Sequence, residues 1–138
     1  FSNIFIIKRD INYYKTSYFS IPKELISSMK WLRINSSEEE NVISNSNMVT
    51  NNLIPAFSVR KIYFGHGIET VRAARKEKEV SWFFETNKND DEKYSFLQKE
   101  KLDYVFIDKN NKKPYQAQEK EYLKKVFENN AASIYKVL

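Results

Sequence analysis

The chain has 138 residues, of which 41% are hydrophobic and 15% aromatic, so it is large and apolar enough for one core, and general disorder is excluded. Its 23 Lys and Arg exceed 18 Asp and Glu by five, but the signs alternate in segments such as residues 75–79, which favours solvated helix faces over a nucleic-acid or lipid-headgroup patch. The absence of cysteine excludes disulfides, thiol nucleophiles and Cys-ligated zinc.

Residues 1–21 are aromatic-rich and poorly periodic. Their longest apolar run, residues 4–7, is far shorter than the ~20 residues of a membrane-spanning helix. The sequence starts with Phe1 rather than Met and shows no signal peptide, so we interpret it as a fragment. Residues 1–21 are then a membrane-proximal lead-in and residues 22–138 one soluble domain; a processed secreted protein is the alternative.

The first predicted helix runs from Pro22 to about Asn35. Proline is tolerated in a first turn, and Leu25, Met29 and Leu32 form an apolar stripe at helical spacing. After a polar break, the β-branched residues 41–44 predict the first core strand.

The middle of the chain is less regular. Residues 45–52 are polar and predict a turn, whereas residues 53–57 fit either a short helix or an extended connection because Pro55 interrupts them. Residues 61–64 predict the second strand.

A long helix is predicted from about Glu69 to Phe84. Its buried side is expected to carry Val71, Ala74, Trp82 and Phe83.

A further helix, capped by Asp90 or Asp91, should end near Leu102. Tyr94, Phe96 and Leu97 are expected to supply its apolar contacts.

The last third of the chain predicts strands. Residues 104–107 are continuously apolar between two aspartates, which is typical of a central strand covered on both faces. Residues 123–127 and 133–137 predict a terminal hairpin, with a helix over residues 117–129 as the alternative. Because strands alternate with helices, the sequence predicts a small three-layer α/β domain with a mostly parallel sheet and a C-terminal antiparallel hairpin.

The turn Gly65-His66-Gly67 is the strongest candidate site. It holds both glycines and the one histidine of the chain, which indicates backbone with positive φ or a close approach by another group. It follows a predicted strand and precedes a predicted helix, where an anion or a proton could be bound. A tight structural turn is the favoured interpretation; ligand contact and acid-base catalysis with Glu69 stay open.

Other chemistry is weakly indicated. His66 and Glu69 are too few ligands for zinc, and no metal site or cofactor is expected. The carboxylates, Asp90 with Asp91 and Asp103 with Asp108, are better explained as caps and strand ends than as glycosidase pairs.

The segment Ile54–Thr70, with Trp82-Phe83-Phe84 after the charged helix, resembles the C-terminal extracytoplasmic domain of bacterial membrane proteins of the glycosyltransferase C superfamily, related to dolichyl-phosphate-mannose protein mannosyltransferases. Those domains read I-P-A-x-[ST]-G-R, an aromatic strand, then G-H-x-x-E-T. The similarity spans about residues 22–138, and Val59 departs from the usual glycine.

The resemblance implies a non-catalytic accessory domain at the extracytoplasmic face of the membrane. It would pack on the transmembrane portion of its own full-length chain, an enzyme using polyprenyl-phosphate sugar donors, and contact a glycan or lipid-linked sugar; no nucleic acid is expected. The matching positions that imply substrate contact or docking are Arg60, Gly65, His66, Glu69 and Thr70.

Two alternatives remain from the residues alone. One is a stand-alone carbohydrate- or anion-binding module, which the turn and the aromatic residues favour. The other is a small hydrolase or transferase using His66 and Glu69.

Overall fold

The computed structural model describes residues 21–85, 89–111 and 115–138, so the predicted lead-in lies almost wholly outside the described residues. Within these ranges the chain forms four α-helices and a five-stranded sheet. In chain order the elements are α1 (Lys23–Asn35), β1 (Asn41–Ser44), α2 (Met48–Ser58), β2 (Lys61–Ile62), α3 (Ala73–Glu85), α4 (Asp90–Lys99), β3 (Tyr104–Asp108), a 3₁₀ turn (Ala117–Glu119), β4 (Leu123–Glu128) and β5 (Ala132–Val137).

The sheet order is β2-β1-β3-β5-β4. Strand β1 pairs in parallel with β2 and with β3, whereas β5 runs antiparallel to both β3 and β4. The predicted parallel core with a C-terminal antiparallel hairpin is therefore confirmed. The alternative helix over residues 117–129 is reduced to the 3₁₀ turn.

Helices cover both faces of the sheet, because successive side chains of a strand point to opposite sides. Helices α1 and α2 pack on one face, and α3 and α4 on the other. The buried strand residues divide accordingly into Val42, Tyr104, Phe106 and Ile134 on the first face and Ile43, Val105, Ile107 and Tyr135 on the second. Three layers result, with β3 fully buried at the centre as its sequence predicts.

Helix α2 begins earlier than the sequence indicates. The prediction of a turn over residues 45–52 is wrong, since the Asn47 carboxamide oxygen accepts the Thr50 N–H at 3.0 Å and caps a helix that starts at Met48. Pro55 lies inside this helix and has no N–H to donate to the carbonyl one turn back.

Helix α3 begins later, at Ala73 rather than Glu69. Arg72 has a left-handed backbone with φ 58°, and its carbonyl accepts the first amides of the helix. The expected burial of Val71 and Ala74 is wrong, since both are exposed; Trp82 is half-buried and Phe83 is buried.

Smaller differences concern element ends. Helix α4 is preceded by Asn89 as its N-cap, not by Asp90 or Asp91, and ends at Lys99 rather than Leu102. Strand β2 has two residues, although the Tyr63 N–H still donates to the Val42 carbonyl at 2.8 Å.

Within the described ranges, no helix has the length and apolarity needed to cross a membrane.

Candidate functional site

A crevice opens at the carboxyl ends of β1 and β3. After β1 the chain turns to α2 on one face, and after β3 it reaches Tyr115 and Ala117, which pack on the other face. Neighbouring parallel strands whose connections leave in opposite directions part at their ends, and open α/β sheets bind ligands there. Strand order therefore marks this crevice as the candidate site.

Asparagine amides fix the two strand ends. The Asn45 carboxamide oxygen accepts the Asp108 N–H at 2.7 Å, and the Asn111 carboxamide donates to the Asn45 carbonyl. The Asp108 carboxylate accepts the Asn110 N–H at 2.9 Å. These side-chain bonds satisfy backbone groups beyond the last β1–β3 strand pairs, where the backbone pairing of the sheet has ended. The floor of the crevice is therefore polar backbone that these bonds hold.

Asn51 lies on α2 at the inner wall of the crevice. Its residue is 2% exposed, and its carboxamide oxygen is buried with no hydrogen-bond partner in the part of the chain that the structure describes. An acceptor in that position costs roughly 1–3 kcal/mol unless a donor reaches it.

The opposite wall is apolar and its rim acidic. Phe64, Val80 and Phe84 form the apolar side, while Glu77 and Ser81 present oxygen atoms from the exposed side of α3. The cavity has a volume of about 260 Å³. No lysine or arginine lines it among the described residues.

The Gly65-His66-Gly67 turn lies beside the crevice, next to Phe64. Neither glycine has positive φ, so that part of the expectation is wrong. Gly65 is buried, and a Cβ there would lie 3.2 Å from Ile62 Cγ2, which is tight packing. A Cβ on Gly67 would meet nothing within 4 Å. Close approach therefore explains Gly65 but not Gly67.

His66 is half-buried and accepts the Ile68 N–H through Nδ1 at 3.3 Å, while its carbonyl accepts the Thr70 N–H at 2.9 Å. No hydrogen bond or ion pair joins it to Glu69, which is exposed, among the described residues. Because α3 starts at Ala73, the turn does not supply the free amides of a helix start, as the sequence had suggested.

Arg60 is buried, with 5% exposure, and caps the carboxyl end of α1. Its guanidinium donates to the Ser36 hydroxyl at 2.6 Å, to the Arg33 carbonyl at 3.0 Å and to the Ser36 carbonyl. The helix dipole favours a cation at this end. Arg60, Gly65, His66, Glu69 and Thr70 therefore do not converge on one pocket, and a substrate contact by them stays a prediction.

The loop after the turn is markedly apolar on its outside. Ile68 is 90% exposed and Val71 is 77% exposed. Both residues belong to the loop of residues 66–72, which also contains Glu69 and Thr70.

The aspartates that could have formed acid-base pairs serve the fold instead. Asp90 pairs with Lys120 at 2.9 Å, and Asp103 accepts the Asn41 N–H at 2.8 Å. Asp108 lies at the other end of β3 from Asp103. No cluster of three metal-ligating side chains occurs in the described ranges.

Sequence reasoning missed the crevice. The available signal was the run Ser44-Asn45-Ser46-Asn47 directly after a core strand, together with Thr50 three residues past Asn47, which is the spacing of a helix N-cap.

No protein-family model and no curated protein matches the sequence. Among solved structures, the fold is similar to the C-terminal globular domain of an oligosaccharyltransferase from Archaeoglobus fulgidus, with a TM-score of 0.65 over 87% of this chain and 100% of that chain. The two sequences are 10% identical, so the likeness concerns the fold alone.

Proposed function

We propose that this chain is a non-catalytic accessory domain of a membrane-embedded glycosyltransferase that uses polyprenyl-phosphate sugar donors, held at the extracytoplasmic face of the membrane. The observation that carries the proposal is the fold likeness to the C-terminal globular domain of an oligosaccharyltransferase. The order of motifs from Ile54 to Thr70 in the sequence supports the same kind of protein.

A role outside catalysis agrees with the surroundings of His66. Acid-base work needs a second group positioned beside the first, and Nδ1 of this histidine accepts a backbone amide of its own turn. Sugar transfer would then take place in another part of a longer chain, with this domain contributing substrate contact or docking.

The loop of residues 66–72 is the proposed docking surface. Ile68 and Val71 are 90% and 77% exposed, so their side chains contribute little burial energy to the isolated domain. Burial of these side chains against a partner would stabilise the complex. The proposed partner is the transmembrane portion of the same full-length chain.

The test replaces Ile68 by serine in the full-length chain. In membranes containing that chain, we expect transfer of labelled sugar from a polyprenyl-phosphate donor to fall severalfold, because an apolar docking contact is lost. Ile34→Ser is the matched control, since Ile34 is 80% exposed at the end of α1 and outside the loop.

Both variants should unfold at the temperature of the parent, because exposed side chains contribute little to stability. Equal activities of the two variants would contradict the docking role. Membranes with no polyprenyl-phosphate-dependent transfer would contradict the proposed function as a whole.

A further inference from the structure

We propose that Asn35 is a modification site that carries an oligosaccharide in N-glycosidic linkage. Asn35-Ser36-Ser37 is the one place in the chain where a serine or threonine lies two residues after an asparagine, and the residue between them is not proline. The inference goes beyond the accessory role. It rests on the extracytoplasmic location in the proposed function, because this modification belongs to surface loops of exported protein segments.

The acceptor lies on an open surface. Asn35 is the last residue of α1 and is exposed, and so is Ser37. Of the residues flanking the motif, Ile34 is 80% exposed and Glu38 is exposed. An oligosaccharide on Asn35 would therefore extend into solvent without displacing a packed group. Its first sugar would lie next to Ile34, an apolar side chain that the fold leaves in water.

The two serines of the motif have different surroundings. The Ser36 hydroxyl is part of the fold, since it donates to the Leu32 carbonyl at 2.6 Å and accepts the Arg60 Nε–H at 2.6 Å. The Ser37 hydroxyl has no hydrogen bond in the part of the chain that the structure describes. The motif requires the second hydroxyl and not the first. The fold thus leaves free the hydroxyl that the modification needs.

The backbone between the two functional groups is extended. Ser36 has φ −134° and ψ 163°, so the side chains of residues 35 and 37 project to the same side of the chain. The carboxamide of Asn35 and the hydroxyl of Ser37 therefore face a transferring enzyme together.

The motif and the docking loop lie at opposite ends of the sheet. Residues 35–37 precede β1, whereas the loop of residues 66–72 follows β2, and the two strands run parallel. A glycan on Asn35 would therefore point away from the surface that we assign to docking, so both can be present in one molecule.

The donor is an oligosaccharide joined to a polyprenyl pyrophosphate. Asn35 Nδ2 forms a bond to the anomeric carbon, the bond from that carbon to the phosphate oxygen breaks, and polyprenyl pyrophosphate leaves with the electron pair. One amide proton passes to a base of the transferring enzyme. The second N–H of the carboxamide is retained, so it can keep the hydrogen bond from Nδ2 to the Trp31 carbonyl, which is 2.9 Å long.

The test isolates the full-length chain from the membranes of the organism that makes it and digests it with trypsin. Cleavage after Arg33 and Arg60 releases residues 34–60 as one peptide. Electron-transfer fragmentation should place an added mass of hexose or N-acetylhexosamine units on Asn35. The same peptide contains internal controls, because its asparagines at positions 41, 45, 47, 51 and 52 lack the motif and should be unmodified.

Matched variants separate the motif from the fold. Asn35→Gln and Ser37→Ala should lose the glycan, whereas Ser37→Thr should keep it. Without a glycan, the 138-residue chain carrying either of the first two changes should melt at the temperature of the parent, because both positions are exposed. Ser36→Ala should do the reverse, keeping the glycan and lowering the melting temperature, because it removes the bonds to Leu32 and Arg60.

An unmodified Asn35 in the full-length chain, a glycan on another asparagine instead, or a glycan that survives Ser37→Ala would overturn the inference. Sugar transfer from polyprenyl-phosphate donors is measured in the same membranes, and Asn35→Gln should leave it unchanged because Asn35 lies at the end of the sheet opposite to the docking loop. Transfer without a glycan on Asn35 contradicts this inference alone. A glycan without transfer contradicts the proposed enzyme alone.

Discussion

At the scale of single residues, Arg60 joins two elements that are distant in the sequence. Its donors reach carbonyls and a hydroxyl at the end of α1, between Arg33 and Ser36, from the loop that leads into β2. A planar guanidinium can serve several acceptors at once, whereas a lysine ammonium cannot take the same geometry.

Arg60→Lys should therefore lower the free energy of unfolding by about 2 kcal/mol, measured by urea denaturation. The control is Arg33→Lys, which changes an exposed side chain on the same helix end and should stay within about 0.5 kcal/mol of the parent. Equal losses in the two variants would show that the cap contributes nothing specific.

The sequence indicates neither that Arg60 caps the end of α1 nor that Asn51 is buried. A motif match identified Arg60, but which helix end it faces depends on how α1 and α2 pack. Asn51 lies in a stretch of polar residues whose composition favours a turn, and its burial arises from the packing of α2 on the sheet.

At the scale of elements, the end of α2 carries backbone strain. Val59 has φ 58° and ψ 32°, the left-handed conformation, and its N–H donates to the Pro55 carbonyl at 2.9 Å. This is the conformation that glycine usually takes after a helix. A β-branched side chain is disfavoured there.

Val59→Gly should raise the free energy of unfolding by about 0.5–1 kcal/mol, since relief of the left-handed strain exceeds the entropy that glycine adds to the unfolded chain. Thermal unfolding measures the change. Ala56→Gly, at an exposed position of α2, should instead destabilise by about 1 kcal/mol. Destabilisation by both would contradict strain at Val59.

Elements differed in how well the sequence predicted them. The strands β1 and β3 could be predicted because their buried residues are contiguous and mostly β-branched or aromatic. The predicted start of α3 is too early because Val71 and Ala74 have the spacing of a buried helix face although both are exposed.

At the scale of the whole molecule, buried tyrosines make the free energy of unfolding depend on pH in the alkaline range. Burial, with a hydrogen bond to Tyr122, raises the pKa of Tyr115 well above its ordinary value near 10. Burial, with a hydrogen bond to the Glu79 carboxylate, raises the pKa of Tyr63 in the same direction. Both phenols lie in the core cluster on the α3 and α4 face of the sheet.

A raised pKa in the folded state contributes stability that is complete below about pH 10 and is lost as the pH rises further. The free energy of unfolding should therefore fall above pH 10, by at most about 1.4 kcal/mol per pH unit for each such tyrosine. Urea denaturation at successive pH values measures the slope. Tyr115→Phe, which removes one of the two hydroxyls, should make it shallower; an unchanged slope would contradict the assignment.

Fold class could be predicted from the sequence because alternating elements and a buried central strand restrict the layers. The candidate site could not, because it depends on β1 lying between β2 and β3, and nothing in the local sequence fixes that order.

The outer strand of the hairpin also limits how this domain can meet other chains. The pairing of β4 with β5 shifts register between Lys125 and Phe127, and Lys124 and Lys125 project from the strand that forms one border of the sheet. The other border, β2, is two residues long. Irregular pairing, positive charge and shortness all hinder a foreign strand from extending the sheet. Copies of this chain are thereby hindered from stacking into fibres through their sheet borders. Contacts with a partner are then made by side chains rather than by strand pairing.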